Sequence, residues 1–125
     1  MNYEQARAYA VNVSRSGSIL GLDSIENLMH ELGDIQERLK IIHIAGTNGK
    51  GSTGAYLERV LIEAGYRVGR YSSPAVFDPM EVWRINLQSM SHEEYADIME
   101  QVKCACDRMV EKGMEHPTIF EVETA

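Results

Sequence analysis

Apolar and polar positions along the chain sort into segments with two distinct periods. Tyr3, Ala6, Ala10 and Val13 share one stripe, with Glu4, Gln5 and Arg7 facing away, which predicts a helix over Asn2–Val13. Ser14–Ser18 is a polar break. Ile25, Leu28, Met29 and Leu32 give a stronger helical face over Asp23–Leu32. Asp23 can cap it with Glu26 three residues on, and Gly33 supplies a stop. Ile41, Ile42, Ile44 and Ala45 read as a buried β-strand. A glycine-rich break follows, then a helix over Lys50–Ala64 with Leu57, Val60, Leu61 and Ala64 as its buried face and Gly65 at its end. Arg67–Ser72 reads as a second, short strand. A helix of that length between two strands implies parallel pairing and a right-handed crossover. Ala75–Met80 is an irregular loop. Val82–Gln88 alternates, with Trp83, Ile85 and Leu87 on one side and Val82, Arg84, Asn86 and Gln88 on the other, as a half-exposed strand does. Ser91 and Glu94 form a capping box for a long helix whose apolar face holds Tyr95, Ile98, Met99, Val102, Cys106, Met109 and Val110 and which ends at Gly113. Thr118 and Glu121 form another. The sum is an α/β chain: an incomplete parallel sheet of P-loop type with flanking helices.

Composition narrows the function classes. Twelve basic against nineteen acidic residues give a net charge of −7, which argues against broad nucleic-acid or anionic-membrane binding. A local anion site built from backbone donors is unaffected by that balance. No apolar run reaches 18 residues and Met1–Leu20 shows no signal-peptide pattern, so a cytoplasmic protein is expected. Cys104 and Cys106, the only cysteines, point to different faces of a helix and read as small structural residues rather than metal ligands or a disulfide. His30 reads as a satisfied or solvated histidine, and His43 as one that packs or bonds locally.

The stretch Ile41–Ser52 carries the chemistry. Strand, Gly46-Thr-Asn-Gly-Lys-Gly-Ser52, then helix is the architecture of a phosphate loop. Glycines let N–H groups close on an anion, the helix N-terminus adds a positive dipole and Lys50 adds a full charge. The general spacing G-x-x-x-x-G-K-[ST] is not met. Ile44 stands where the first glycine is required, and Gly51 stands where the hydroxyl is required. In a parallel sheet the Ser72-Ser73-Pro74 turn emerges at the same strand ends as this loop.

His43-Ile-Ala-Gly-Thr-Asn-Gly-Lys-Gly-Ser-Thr53 resembles the phosphate loop of folylpolyglutamate synthase and its bifunctional relatives that also act as dihydrofolate synthase, in the Mur-ligase-like superfamily. Gly51, inserted between Lys50 and Ser52, separates this branch from the Mur ligases proper. Gly21-Leu-Asp-Ser-Ile-Glu-Asn-Leu28, Ala64-Gly-Tyr-Arg-Val-Gly-Arg-Tyr-Ser-Ser-Pro74 and Thr118-Ile-Phe-Glu-Val-Glu-Thr-Ala125 match in order and spacing, so the resemblance covers almost the whole chain. It implies the N-terminal portion of a Mur-ligase-like ATP-binding domain, residues 1–125, with the rest of that domain and a C-terminal glutamate-binding domain lying outside it. The implied reaction uses ATP and Mg²⁺ to activate a folate-side carboxylate as an acyl phosphate, which the amine of L-glutamate attacks. Tetrahydrofolate or dihydropteroate would be the acceptor. The implied nucleotide site is Thr47, Asn48, Gly49, Lys50, Gly51, Ser52 and Thr53, with Lys50 bridging phosphates. The implied metal ligands are Ser73 and Glu121; a metal-binding histidine and a carboxylated lysine of the family lie beyond the chain. Pro74 and Arg84 match the substrate end. A monomer is expected for the full-length form.

Plainer readings stand beside these. Glu121 also fits as the capping partner of Thr118, Ser73 as a turn residue before proline, and Arg84 as a solvated strand arginine. The segment Ala75–Asn86 departs from the family: Glu81 is retained, Val82 replaces the following base, and Asp78-Pro79 is unusual. The preferred acceptor is therefore open. Two other function classes remain: a nucleotide-binding fragment with no ligase activity of its own, and a different phosphate-loop protein such as a small-molecule kinase.

Overall fold

The computed structural model describes residues 1–15, 17 and 21–125. The polar break expected at Ser14–Ser18 includes Ser16 and Ser18, which lie outside the described residues. The chain divides into two compact units: residues 1–39 with 93–125, and residues 40–92.

The first unit is helical. It comprises α1 (Tyr3–Ser14), α2 (Asp23–Glu31), α4 (His92–Glu111, from Glu93 onward) and α5 (Ile119–Thr124). α1 is opened by Asn2, whose Oδ1 accepts from Gln5 N–H at 2.8 Å while Gln5 Oε1 accepts from Asn2 N–H at 2.9 Å. This reciprocal cap satisfies two otherwise open donors. α1 buries Ala6, Ala10 and Val13, as its periodicity predicts. α2 begins one residue earlier than expected in its capping role: Leu22 is the N-cap and makes no side-chain bond. Asp23 therefore sits inside the first turn, where its charge faces the positive helix end. α4 buries Tyr95, Met99, Val102, Cys106 and Met109, whereas Ile98 and Val110 lie on the flank, about half exposed. Ala96 and Ala105 take the buried positions instead, since small side chains allow close helix approach. Cys106 is buried and Cys104 exposed, on different faces. Tyr9 Oη lies 3.0 Å from His116 Nε2, while His116 Nδ1 lies 2.7 Å from the Pro117 carbonyl. A carbonyl only accepts, so Nδ1 is the donor in the bond to Pro117, and Nε2 shares the other bond with the Tyr9 hydroxyl. Burial, with the Cys106 thiol beside it, pushes the Tyr9 phenol well up and keeps it a donor.

The second unit holds α3 (Lys50–Glu63) and a three-stranded antiparallel sheet of β1 (Gly69–Tyr71), β2 (Trp83–Ile85) and β3 (Gln88–Ser89). Gly69, Arg70 and Tyr71 pair with Ile85, Arg84 and Trp83. Three expectations change here. Residues 41–46 run outside any ladder, with Ile41 and Ile42 exposed rather than buried. A strand acquires its burial and hydrogen bonds from neighbouring strands, and among the described residues none flanks this segment. The second strand pairs antiparallel with β2, not parallel with residues 41–45. The single strand expected over Val82–Gln88 breaks into a hairpin: Asn86 and Leu87 both take positive φ (48° and 70°), the geometry of a two-residue turn whose twist matches its strands. Asn86 tolerates that conformation and anchors it, its Oδ1 accepting from Val68 N–H at 2.9 Å.

The α3 face also differs. Val60 and Ala64, expected inside, are exposed, and Leu57 and Leu61 are half-buried. The fully buried side chain of this helix is Glu58.

Candidate functional site

Gly46 to Thr53 forms an exposed turn that leads directly into α3. Gly49 is the N-cap at φ 78°, a left-handed position that glycine adopts without penalty. The first helical bond runs from Thr53 N–H to Gly49 O at 2.9 Å. The N–H groups of Lys50, Gly51 and Ser52 therefore point out of the helix start as open donors. No acidic residue lies in the first turn, so nothing on the helix opposes an incoming anion. Lys50 Nζ is not free in water: it donates to Gly46 O at 2.5 Å and Thr47 O at 3.4 Å. Its ammonium thus braces the loop it belongs to and stands where a phosphate would exchange with those carbonyls. Thr47, Asn48, Gly49, Lys50, Gly51, Ser52 and Thr53 are contiguous and accessible, an arrangement that fits a polyphosphate. His43, expected to pack or to bond locally, is exposed.

Behind the loop lies a group the sequence pattern did not reveal. Glu58 Oε2 accepts from Arg70 Nη1 at 3.1 Å and Arg84 Nη2 at 2.8 Å, with the Glu58 side chain 1% exposed. Arg70 also donates through Nη2 to Gly51 O at 3.0 Å. Arg70 and Arg84 stand directly opposite each other across the β1–β2 pair. Like charges in that position repel, and the buried carboxylate between them removes the conflict. Arg84, read as a solvated arginine or a substrate contact, is thus part-buried on Glu58. The sequence signal that could have found the group is Glu58 itself, an acidic residue adjoining the Leu57–Val60–Leu61 stripe.

Ser73 and Pro74 form an exposed turn after β1, joined by a cis peptide. The following segment is pinned by Glu81. Its Oε1 accepts from the N–H groups of Asp78 at 2.6 Å, Phe77 at 2.5 Å and Val76 at 3.2 Å. These bonds, led by Asp78, hold its carboxyl below the usual carboxylate range. Asp78 in turn caps the single helical turn Pro79–Val82, its Oδ1 accepting from Met80 N–H at 2.7 Å. The unusual Asp78-Pro79 pair is therefore a structural cap, with proline at the position where a missing donor costs nothing.

Glu121 belongs to the first unit and Ser73 to the second. Glu121 is buried, and its Oε2 accepts from Thr118 N–H at 2.7 Å, Thr118 Oγ1 at 3.0 Å and Ser24 Oγ at 3.1 Å. The capping role is thus real, with the threonine hydroxyl donating to the carboxylate. All three bonds fall on Oε2, and the residue borders a cleft shared with Gly21, Asp23, Ser24 and Asn27. Oε1 has capacity for a cation, and a hydroxyl and a carboxylate are oxygen donors of the kind Mg²⁺ takes. Among the described residues, no group of three or more His, Cys, Asp or Glu side chains is gathered to hold a metal ion.

No family model matches the chain. A dihydrofolate synthase/folylpolyglutamate synthase of Bacillus subtilis (strain 168) is 35% identical over 123 residues, covering 98% of this chain and 29% of the relative. A solved complex of folylpolyglutamate synthase with AMPPCP and folate matches with TM-score 0.88 at 30% identity, over 99% of this chain and 30% of that one. A bifunctional folylpolyglutamate synthase/dihydrofolate synthase with manganese, AMPPNP and L-glutamate bound matches with TM-score 0.82 at 32% identity, over 99% and 28%. The chain therefore spans less than a third of the length of these relatives. In sequence along nearly its whole length, and in fold, it belongs to the folylpolyglutamate synthase/dihydrofolate synthase family.

Proposed function

We propose that this protein is an ATP-dependent ligase that joins L-glutamate to a folate or to dihydropteroate through an acyl phosphate. The observation that carries the reading is the loop at Gly46–Ser52: a left-handed Gly49, Lys50 braced on the loop, and open N–H groups at the start of α3. Relatives that match nearly the whole chain support it, by binding AMPPCP with folate in one case and AMPPNP with L-glutamate and manganese in another.

Phosphoryl transfer needs positioning and charge neutralisation more than covalent help from the protein. The N–H groups at the start of α3 and the Lys50 ammonium, released from Gly46 O, take the β- and γ-phosphate oxygens; Ser52 and Thr53 add hydroxyls. A carboxylate oxygen of the acceptor attacks the γ-phosphorus and ADP leaves. The amine of glutamate then attacks the acyl carbon, phosphate departs with that oxygen, and the amine proton passes to solvent. Ser73 and Glu121 would each offer an oxygen ligand of the kind Mg²⁺ takes, and the ion would supply neutralising charge on the phosphates. Pro74 and Arg84 border the acceptor end. In this reading residues 41–46 would be the strand leading into the loop of a parallel, Mur-ligase-like sheet. Residues 1–125 are then the N-terminal part of the ATP-binding domain, and by themselves bind nucleotide without forming amide. A cytoplasmic monomer completes the reading. Among the described residues no helix is long and apolar enough to cross a membrane.

The test is substrate dependence in the full-length protein. ADP should form only when a folate or pteroate acceptor and glutamate are both present. Turnover that ignores glutamate, or accepts an unrelated amine equally well, would sink the substrate assignment.

A further inference from the structure

We infer that Arg70 is a positioning residue for the nucleotide: held by Glu58, it fixes the Gly51–Ser52 peptide so that the Ser52 N–H faces the phosphates. The inference rests on the phosphate-loop reading above. A peptide plane is rigid, so anchoring its carbonyl also aims its N–H. Arg70 anchors that carbonyl, donating through Nη2 to Gly51 O at 3.0 Å. A cationic donor on the oxygen also polarises the peptide and strengthens the N–H on its other side. Gly51 is the residue inserted between Lys50 and the first hydroxyl, and it has no side chain to restrain it. Gly51 lies in the first turn of α3, so the brace acts on a carbonyl at the helix start, beside the open donors.

The way Arg70 divides its donors supports the assignment. A guanidinium beside a carboxylate favours a two-pronged pairing. Arg70 instead gives one nitrogen to Glu58 Oε2 and the other to Gly51 O, and Glu58 Oε1 and Arg84 Nε are left buried with no partner. Leaving such atoms unpaired is costly. Simple stabilisation of the buried carboxylate would have used them. Two guanidinium groups also surround one carboxylate, so this wall of α3 carries an excess positive charge behind the phosphate-binding turn. The guanidinium lies flat along Gly54: a Cβ there would stand 3.3 Å from Arg70 Nε. Glycine in the second turn of a helix lowers helix stability, yet here it leaves room for Arg70.

Gly54 makes the test decisive, because helix stability and nucleotide affinity should move in opposite directions. In the full-length protein, affinity for AMPPCP is measured beside the thermal midpoint. Gly54→Ala should leave the midpoint unchanged or raise it, while pushing the Arg70 guanidinium by a few tenths of an ångström off its bond to Gly51 O and weakening AMPPCP about fivefold. Arg70→Met should weaken it about tenfold. Arg70→Lys keeps a cation beside Glu58 but cannot span both acceptors, and should fall between. Affinities of Gly54→Ala and Arg70→Met within about twofold of the parent, or losses that merely follow a falling midpoint, overturn the inference. Should Arg70→Met not fold, Gly54→Ala decides alone. Lys50→Ala separates the two readings. If it abolishes binding while Gly54→Ala does not weaken it, only the positioning role fails; if it leaves binding intact, the loop reading fails and this one with it.

Discussion

Glu81 shows how one carboxylate can set a local shape. Its three backbone bonds, led by that from Asp78, hold the segment from Val76 to Asp78 and present Val76 and Phe77 to solvent. Because these bonds hold its carboxyl below the usual range, the folded chain binds fewer protons there than the unfolded chain. The contribution is complete above the ordinary glutamate pKa and is lost as pH falls through the lower, folded value. Amide protection at Val76, Phe77 and Asp78, taken as exchange relative to the intrinsic rate at each pH, should thus be high at neutral pH and fall in acid. In Glu81→Gln that protection should be low and nearly the same across the range. Equal protection in the two proteins at neutral pH would contradict the role. At the same scale, the left-handed Gly49 and the helix that starts at Lys50 were readable directly, because a glycine-rich turn into a helix is a local pattern. Glu58 was not. Its burial depends on Arg70 and Arg84, 12 and 26 residues further on, and no local period announces such a pairing.

The hairpin of β2 and β3 is the element whose form most departs from its sequence pattern. Alternation runs unbroken through Trp83, Ile85 and Leu87, and neither Asn86 nor Leu87 is glycine, so a period-two reading continues the strand. The chain turns because Asn86 can occupy the left-handed region and its side chain holds Val68 N–H. Asn86→Ala removes both supports and should destabilise this unit by about 1–2 kcal/mol. A denaturant titration, with faster exchange at the Val68 amide, would report it; an unchanged midpoint would mean that the turn is held by something other than Asn86. The helices of the first unit were legible for the converse reason. Ala6, Ala10 and Val13, or Met99, Val102, Cys106 and Met109, meet their neighbours at helical spacing, and the period alone names the inward face.

Across the whole molecule, the segment before the loop and the outer face of α3 carry Ile41, Ile42, Tyr56 and Val60 at 60–76% exposure. The sequence marks these positions as apolar, but what covers an apolar strand is decided by its neighbours. Among the described residues no strand pairs with residues 41–46, so a pattern that reads as a buried parallel strand stands exposed in the fold. Chemistry was the more legible layer: the loop, its lysine and the order of four segments named the family, whereas Arg84 and the Glu58 group acquired their meaning only from the fold.

Whether this loop serves an acyl-phosphate ligase is decided by the path of one oxygen. Full-length protein is supplied with ATP, glutamate and an acceptor whose carboxylate carries heavy oxygen. The account predicts glutamyl amide and ADP in equal amounts, with one labelled oxygen in each phosphate released, and loss of both products in Lys50→Ala. Phosphate free of label, or a stable phosphorylated acceptor without amide, would contradict it.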